Sequence, residues 1–188
     1  MLNVELRQSH KLLLALLIGL ISGTICYYWL VSHSIGAADF TWPWRGAQLL
    51  LEGKNPYKII KATGPYPYND ALYYPLPALL LAIPTTLFPA HLAGALFIAL
   101  STGLLAWGVL NTEPHRLALF FSAPFVYALF TAQWAPLITA AALLPWLGPA
   151  LLGKPNIGVP VLLLYGNRRS WLFSAIVVLI SLLILPSW

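Results

Sequence analysis

Apolar runs dominate the chain, and the few polar positions divide it into segments. Leu12 to Val31 carries no charge over about 20 residues, the length a helix needs to cross about 30 Å of hydrocarbon. His91 to Leu110 is a second full-length run. Between the two lies a shorter run, Pro75 to Phe88, interrupted by Pro77 and Pro84. Beyond the polar turn Asn111–Arg116 come Leu117 to Thr131 and Trp134 to Leu152. Ile157 to Tyr165 is too short to span unaided, and Trp171 to Pro186 closes the series. The pattern predicts an all-α fold, a polytopic transmembrane helical bundle of about six or seven membrane segments. The doublets Pro145-Trp146 and Gly148-Pro149 could break Trp134–Leu152 into a re-entrant hairpin, which would change that number.

Residues 33 to 74 break the pattern. Here sit Asp39, Arg45, Glu52, Lys54, Lys58, Lys61 and Asp70, interleaved with Phe40, Trp42, Trp44, Tyr57, Tyr66, Tyr68, Tyr73 and Tyr74. Loops this long without structure of their own are uncommon and usually functional. Within it, Trp44 to Glu52 places apolar residues at helical spacing and stops at Gly53, as a short helix lying along the headgroups would. Asn55-Pro56-Tyr57 and Gly64-Pro65-Tyr66-Pro67-Tyr68 read as turns and extended backbone. The whole chain, 1–188, is expected to be one integral membrane domain: a first span at 12–31, an external interfacial loop at 33–74, and the remaining membrane segments from 75 onward.

Composition settles the solvent. Apolar residues are 60% of the chain and charged residues 8%, against roughly 25% charged in ordinary soluble domains. A water-facing surface and intrinsic disorder are both excluded by such a balance. Cys26 is the one cysteine and lies in an apolar run, so neither a disulfide scaffold nor a cysteine zinc site is available. Arg7, His10 and Lys11 precede the first run and hold the N-terminus in the cytoplasm by the positive-inside rule. A signal peptide has the same outline, with Gly36-Ala37-Ala38 as a cleavage site, but the run exceeds the usual apolar core of roughly 7–15 residues. Sidedness beyond residue 110 stays open: Arg168-Arg169 suits simple alternation and Arg116 opposes it.

No phosphate loop, nucleophile elbow or His-Glu-x-x-His motif is present, and the four histidines are scattered. With five acids in the chain, the candidates for a catalytic base are few. Glu5 falls on the cytoplasmic side and Glu113 in a short turn, which leaves Asp39, Glu52 and Asp70. Asp39 stands at an aromatic-rich membrane surface, where poor hydration favours proton acceptance from a hydroxyl. The plainer role is a helix cap for Thr41 onward. Lys154, in Gly153-Lys154-Pro155-Asn156, could bind a phosphate headgroup or simply snorkel. Arg45 could pair with a phosphate or complement Glu52. Gln133 could bond across helices or line a polar cavity. Asn55, Tyr57, Tyr73 and Tyr74 are turn and belt residues or, alternatively, sugar-stacking platforms.

These residues stand in a familiar order: Ala38-Asp39-Phe40; Gly46-Ala-Gln-Leu-Leu-Leu-Glu-Gly-Lys-Asn-Pro-Tyr57; Tyr73-Tyr-Pro-Leu-Pro-Ala78; Ala132-Gln-Trp-Ala-Pro-Leu137; Lys154-Pro-Asn-Ile-Gly158; Arg168-Arg169. The order resembles the bacterial membrane glycosyltransferases of family 87 (the domain of unknown function 2029). These are similar to polyprenyl-phosphate-mannose-dependent mannosyltransferases of GT-C architecture. The resemblance is best over about residues 36 to 80. It implies an inner-membrane enzyme that moves a hexose from a polyprenyl-phosphate donor to a lipid or glycan acceptor by inverting displacement at the outer face. It implies Asp39 as general base, and Lys154, then Arg45, as the cation at the phosphate leaving group. Asn55, Tyr57, Tyr73, Tyr74, Gln133 and Asn156 are then substrate-binding. Neither a metal nor a cofactor is implied; membrane lipids, the donor and the acceptor are the expected partners, with no nucleic acid among them.

The chain departs from the family pattern in having Ala132-Gln133 where Gly-Gln is usual, and in being shorter than most members. A non-catalytic scaffold that binds lipid-linked glycan, or a fragment, is therefore the second expectation. A small lipid or sugar transporter, suggested by the proline breaks, is the third.

Overall fold

The computed structural model describes residues 7–62 and 70–186, and every regular element among them is helical. The helices are α1 Gln8–Ser32, α2 Thr41–Leu51, α3 Pro56–Ile59, α4 Leu76–Ala82, α5 Ala90–Thr112, α6 Ala123–Phe130, α7 Ala135–Leu143, α8 Gly148–Leu151, α9 Pro155–Tyr165 and α10 Arg168–Ile184. The expected Gly64–Tyr68 turn and Glu5 lie outside the described residues.

Two helices, α1 and α5, are long and apolar enough to cross a bilayer. With 25 and 23 residues they extend about 37 and 35 Å. They pack antiparallel through small residues spaced four apart. Ala15 faces Gly103, Gly19 meets Ala99 and Gly103, and Gly23 meets Ala95 and Ala99. A Cβ on Gly19 would stand 2.6 Å from the Ala99 carbonyl oxygen, so the two backbones touch directly. Such small-residue stripes let helices associate by close contact where lipid removes the hydrophobic drive between them.

The other apolar runs are divided into shorter helices, and proline explains where. Pro77, Pro124, Pro136 and Pro149 occupy the first turn of α4, α6, α7 and α8, where a missing N–H costs nothing. Pro84, Pro114 and Pro145 each open a tight 3-10 turn instead of extending an α-helix. Leu117–Thr131 is therefore a 3-10 segment, a cap at Ser122 and then α6. Trp134–Leu152 divides at Pro145 into α7 and α8, where the proline and glycine doublets permit a break. The surface helix expected at Trp44–Glu52 begins three residues earlier, at Thr41.

The core lies between α2, α4, α5 and α7. Phe40 stacks on Phe97 at 4.2 Å, and Trp134 packs on Phe97 at 5.0 Å. Outward faces are apolar too: Leu16 and Leu20 on α1, Leu100 on α5, Leu164 on α9 and Leu183 on α10 are all exposed. Unpartnered apolar surface of this extent is suited to a non-aqueous neighbour.

Candidate functional site

The site forms at the end of the bundle where α1 finishes and α5 begins. Beyond Ser32 the backbone turns through left-handed conformations at Ser34, Gly36 and Ala38. Ala37 rests on Gly94 of α5, where a Cβ would lie 3.1 Å from the Ala37 Cα. The Ala37 N–H donates to Thr41 Oγ1 at 3.0 Å. Asp39 therefore leaves a short 3-10 turn directly over the first turns of α5. Its N–H donates to the Thr131 carbonyl at 3.0 Å, joining it to the break between α6 and α7. That break has its own left-handed residue, Ala132, with φ of 46°. The residues preceding Asp39 and Gln133 are thus both in a conformation that costs a non-glycine residue about 1–3 kcal/mol. Backbone strain concentrates where two polar side chains are aimed.

Four side chains from distant parts of the chain then meet. The Tyr74 hydroxyl donates to Asp39 Oδ2 at 2.5 Å, and Lys154 Nζ donates to the same oxygen at 3.2 Å. Oδ1 is the oxygen that neither of these donors holds. Lys154 also donates to Gln133 Oε1 at 3.0 Å and stands 5.9 Å from the centre of the Tyr74 ring, within cation–π range. The Lys154 and Asp39 side chains are 25% and 26% exposed, so the pair is shielded yet open to a ligand. Burial, then the adjacent Asp39 charge and hydrogen bond, push the Tyr74 hydroxyl far above the ordinary tyrosine range. Tyr74 thus remains a proton-bearing donor to the carboxylate.

Beneath the cluster lies Trp134, wholly buried. A Cβ on Gly153 would collide with its ring, so Lys154 reaches the site because a glycine precedes it. Tyr57 supports the arrangement from the other side, donating its hydroxyl to the Tyr74 carbonyl at 3.0 Å. Above the pair opens a cavity of about 340 Å³, lined by Asp39, Tyr73, Tyr74, Lys154 and Asn156 among others. That volume falls within the roughly 300–1,000 Å³ of small-molecule sites.

Of the residues singled out from sequence, Asp39, Tyr73, Tyr74, Gln133, Lys154 and Asn156 come together here. Arg45 does not. Its Nη1 donates to Gln48 at 3.1 Å and lies 3.7 Å from Glu52, one and two turns along, so it complements α2 and its end instead of the Asp39 cavity. Asn55 is a cap: its Oδ1 accepts the Tyr57 N–H at 3.0 Å and starts α3. Tyr57 acts through the Tyr74 backbone and does not line the cavity. Asp39 does not cap α2 either, since the cap position falls on Phe40 and no side chain caps it. Trp134 and Gly153 were not singled out. Their signal was a large aromatic beside Gln133 and a glycine beside the lone cation. Among the described residues, no three His, Cys, Asp or Glu side chains are grouped to hold a metal ion.

Chemically, the arrangement offers a proton acceptor, an ammonium that can turn to an anion, and a fixed hydroxyl that shares the carboxylate oxygen with that ammonium. No family model matches this chain, and no curated protein and no solved structure matches it either.

Proposed function

We propose that the chain is a membrane-embedded glycosyltransferase that moves a hexose from a polyprenyl-phosphate donor to a lipid or glycan acceptor. The observation that carries this reading is the Asp39–Lys154 pair, formed across 115 positions at the rim of an open cavity. In the resting site Lys154 is engaged by Asp39 and Gln133. A phosphate entering the cavity draws the ammonium towards itself and releases the carboxylate. Asp39 then takes the proton of the acceptor hydroxyl as its oxygen attacks the anomeric carbon. The new glycosidic C–O bond forms while the bond from the anomeric carbon to the phosphate oxygen breaks. Polyprenyl phosphate departs with its added charge held by Lys154, and the anomeric configuration inverts. Tyr73 and Tyr74 present ring faces to the sugar.

In this reading the chain crosses a bacterial inner membrane in six or seven segments, with the N-terminus cytoplasmic and residues 33–74 external. The outward leucines of α1, α5, α9 and α10 support a lipid surround. A second reading, a non-catalytic subunit that binds lipid-linked glycan, draws on the same pair: a carboxylate neutralised by lysine is also a structural strut.

The test is reconstitution in vesicles with radiolabelled polyprenyl-phosphate hexose and a membrane extract as acceptor source. Asp39→Asn is expected to abolish transfer while retaining helix content and donor binding. Full transfer by Asp39→Ala would show that the base lies elsewhere. Donor binding with no turnover by the unaltered chain would favour the binding subunit.

A further inference from the structure

A second polar feature lies at the opposite end of the bundle. Asn167 caps α10, accepting from the N–H groups of Arg169 and Ser170 at 2.9 and 3.0 Å. The cap leaves Arg168 and Arg169 on the outside, both exposed. Among the described residues no acid pairs with either arginine. Other cations do have such partners: Arg45 with Glu52, Arg116 with Glu113, Lys154 with Asp39. The two arginines and Trp146 border a cavity of about 380 Å³.

Trp146, 53% exposed, also belongs to a second and larger space of about 510 Å³. This one is an apolar groove between α1 and α5, running past Leu12, Leu16, Leu100, Gly103 and Trp107. It exists because the small-residue contact draws the two backbones together and leaves a furrow beside them. A basic recess therefore opens, across one tryptophan, into an apolar furrow at the end of the bundle holding Leu12 of α1.

We propose that this composite site binds one anionic phospholipid, with the headgroup phosphate on Arg168 and Arg169 and an acyl chain in the α1–α5 groove. Arginine suits the headgroup because its planar fork matches phosphate oxygens two at a time. An exposed tryptophan at the junction suits the boundary between headgroup and chain. Charge complementarity selects an anionic lipid over a zwitterionic one, since two uncompensated cations meet one phosphate without a choline beside it. The inference rests on the chain lying in a bilayer but is independent of any transferase activity. The Asp39 cavity, at the other end of α1, takes no part in it.

The experiment is native mass spectrometry of the full chain released from nanodiscs containing equal phosphatidylglycerol and phosphatidylcholine. The unaltered chain is expected to retain one phosphatidylglycerol. Each of Arg168→Gln and Arg169→Gln is expected to weaken retention about fivefold, from about 1 kcal/mol per cation near an anionic headgroup. Leu100→Trp, at an exposed position on the groove wall, is expected to displace the acyl chain and lower retention with both arginines intact. Arg45→Gln leaves retention unchanged. Equal retention of phosphatidylcholine, or equal occupancy by inorganic phosphate alone, would overturn the proposal: the first reduces the site to a greasy furrow, the second to a free-anion site. Alkaline carbonate washing of the source membranes separates the two levels of failure. A chain that washes off overturns the bilayer reading as well. One that stays but shows no anionic preference overturns only the lipid site.

Discussion

Replacing Asp39 by Asn and Lys154 by Gln, singly and together, measures what the central pair contributes. At 3.2 Å, with an effective dielectric of about 20, the direct attraction is roughly 5 kcal/mol. Most of this is offset by lost hydration, because both side chains are about three-quarters covered. Each single change leaves the other charge unpaired but not bare: Lys154 keeps Gln133, and Asp39 keeps Tyr74. We expect each single variant to lose about 2 kcal/mol, less than the 3–5 typical of a fully buried pair. The double variant is expected to lose about 2 kcal/mol as well, not 4, giving a coupling of about 2 kcal/mol. The assay is unfolding by dodecyl sulfate titrated into mixed micelles, followed by far-ultraviolet circular dichroism. Strict additivity of the two changes would refute the interaction on which the proposed chemistry stands.

Gly19→Leu drives a side chain into the Ala99 carbonyl and is expected to cost at least about 1–3 kcal/mol in the same titration; an unchanged midpoint would contradict the α1–α5 contact. Ala132→Val places a β-branched residue at a φ of 46° and is expected to cost more than about 2 kcal/mol, whereas Ala132→Gly keeps the site intact in donor binding. Tyr57 and Tyr74 both hold their protons above the ordinary range, chiefly through burial. Unfolded tyrosines ionise near about pH 10, so unfolding releases protons above that point and stability falls as pH rises further. Tyr57→Phe is expected to flatten that alkaline slope, and an unaltered slope would place Tyr57 in water.

How far the sequence reveals the site depends on distance along the chain. Asp39 and Lys154 were nameable because ionisable groups are so scarce, and scarcity needs no partner to be visible. Their meeting was not visible: 115 positions separate them, and neither periodicity nor turn chemistry reports contacts at that range. Arg45 misled for the converse reason. It sits near Asp39 in sequence, but α2 carries it towards Gln48 and Glu52, partners at helical spacing that compete for the guanidinium. Helix existence was legible from apolar runs; helix length was not, wherever proline at a first turn restarted the chain. The stripe of Ala15, Gly19 and Gly23 was present in the letters. Only the opposing stripe on α5 turns it into an interface.

The reach of the Asp39–Lys154 contact also imposes an order of manufacture. A ribosome adding about 5–20 residues per second emits Asp39 several seconds or more before Lys154. Throughout that interval the carboxylate has only nearer companions, and the anion-drawing half of the cavity does not exist. The emerging chain therefore carries Asp39 without its cation throughout that time. The pair is completed late, when the segment before α9 packs over Trp134 and brings Lys154 to Asp39.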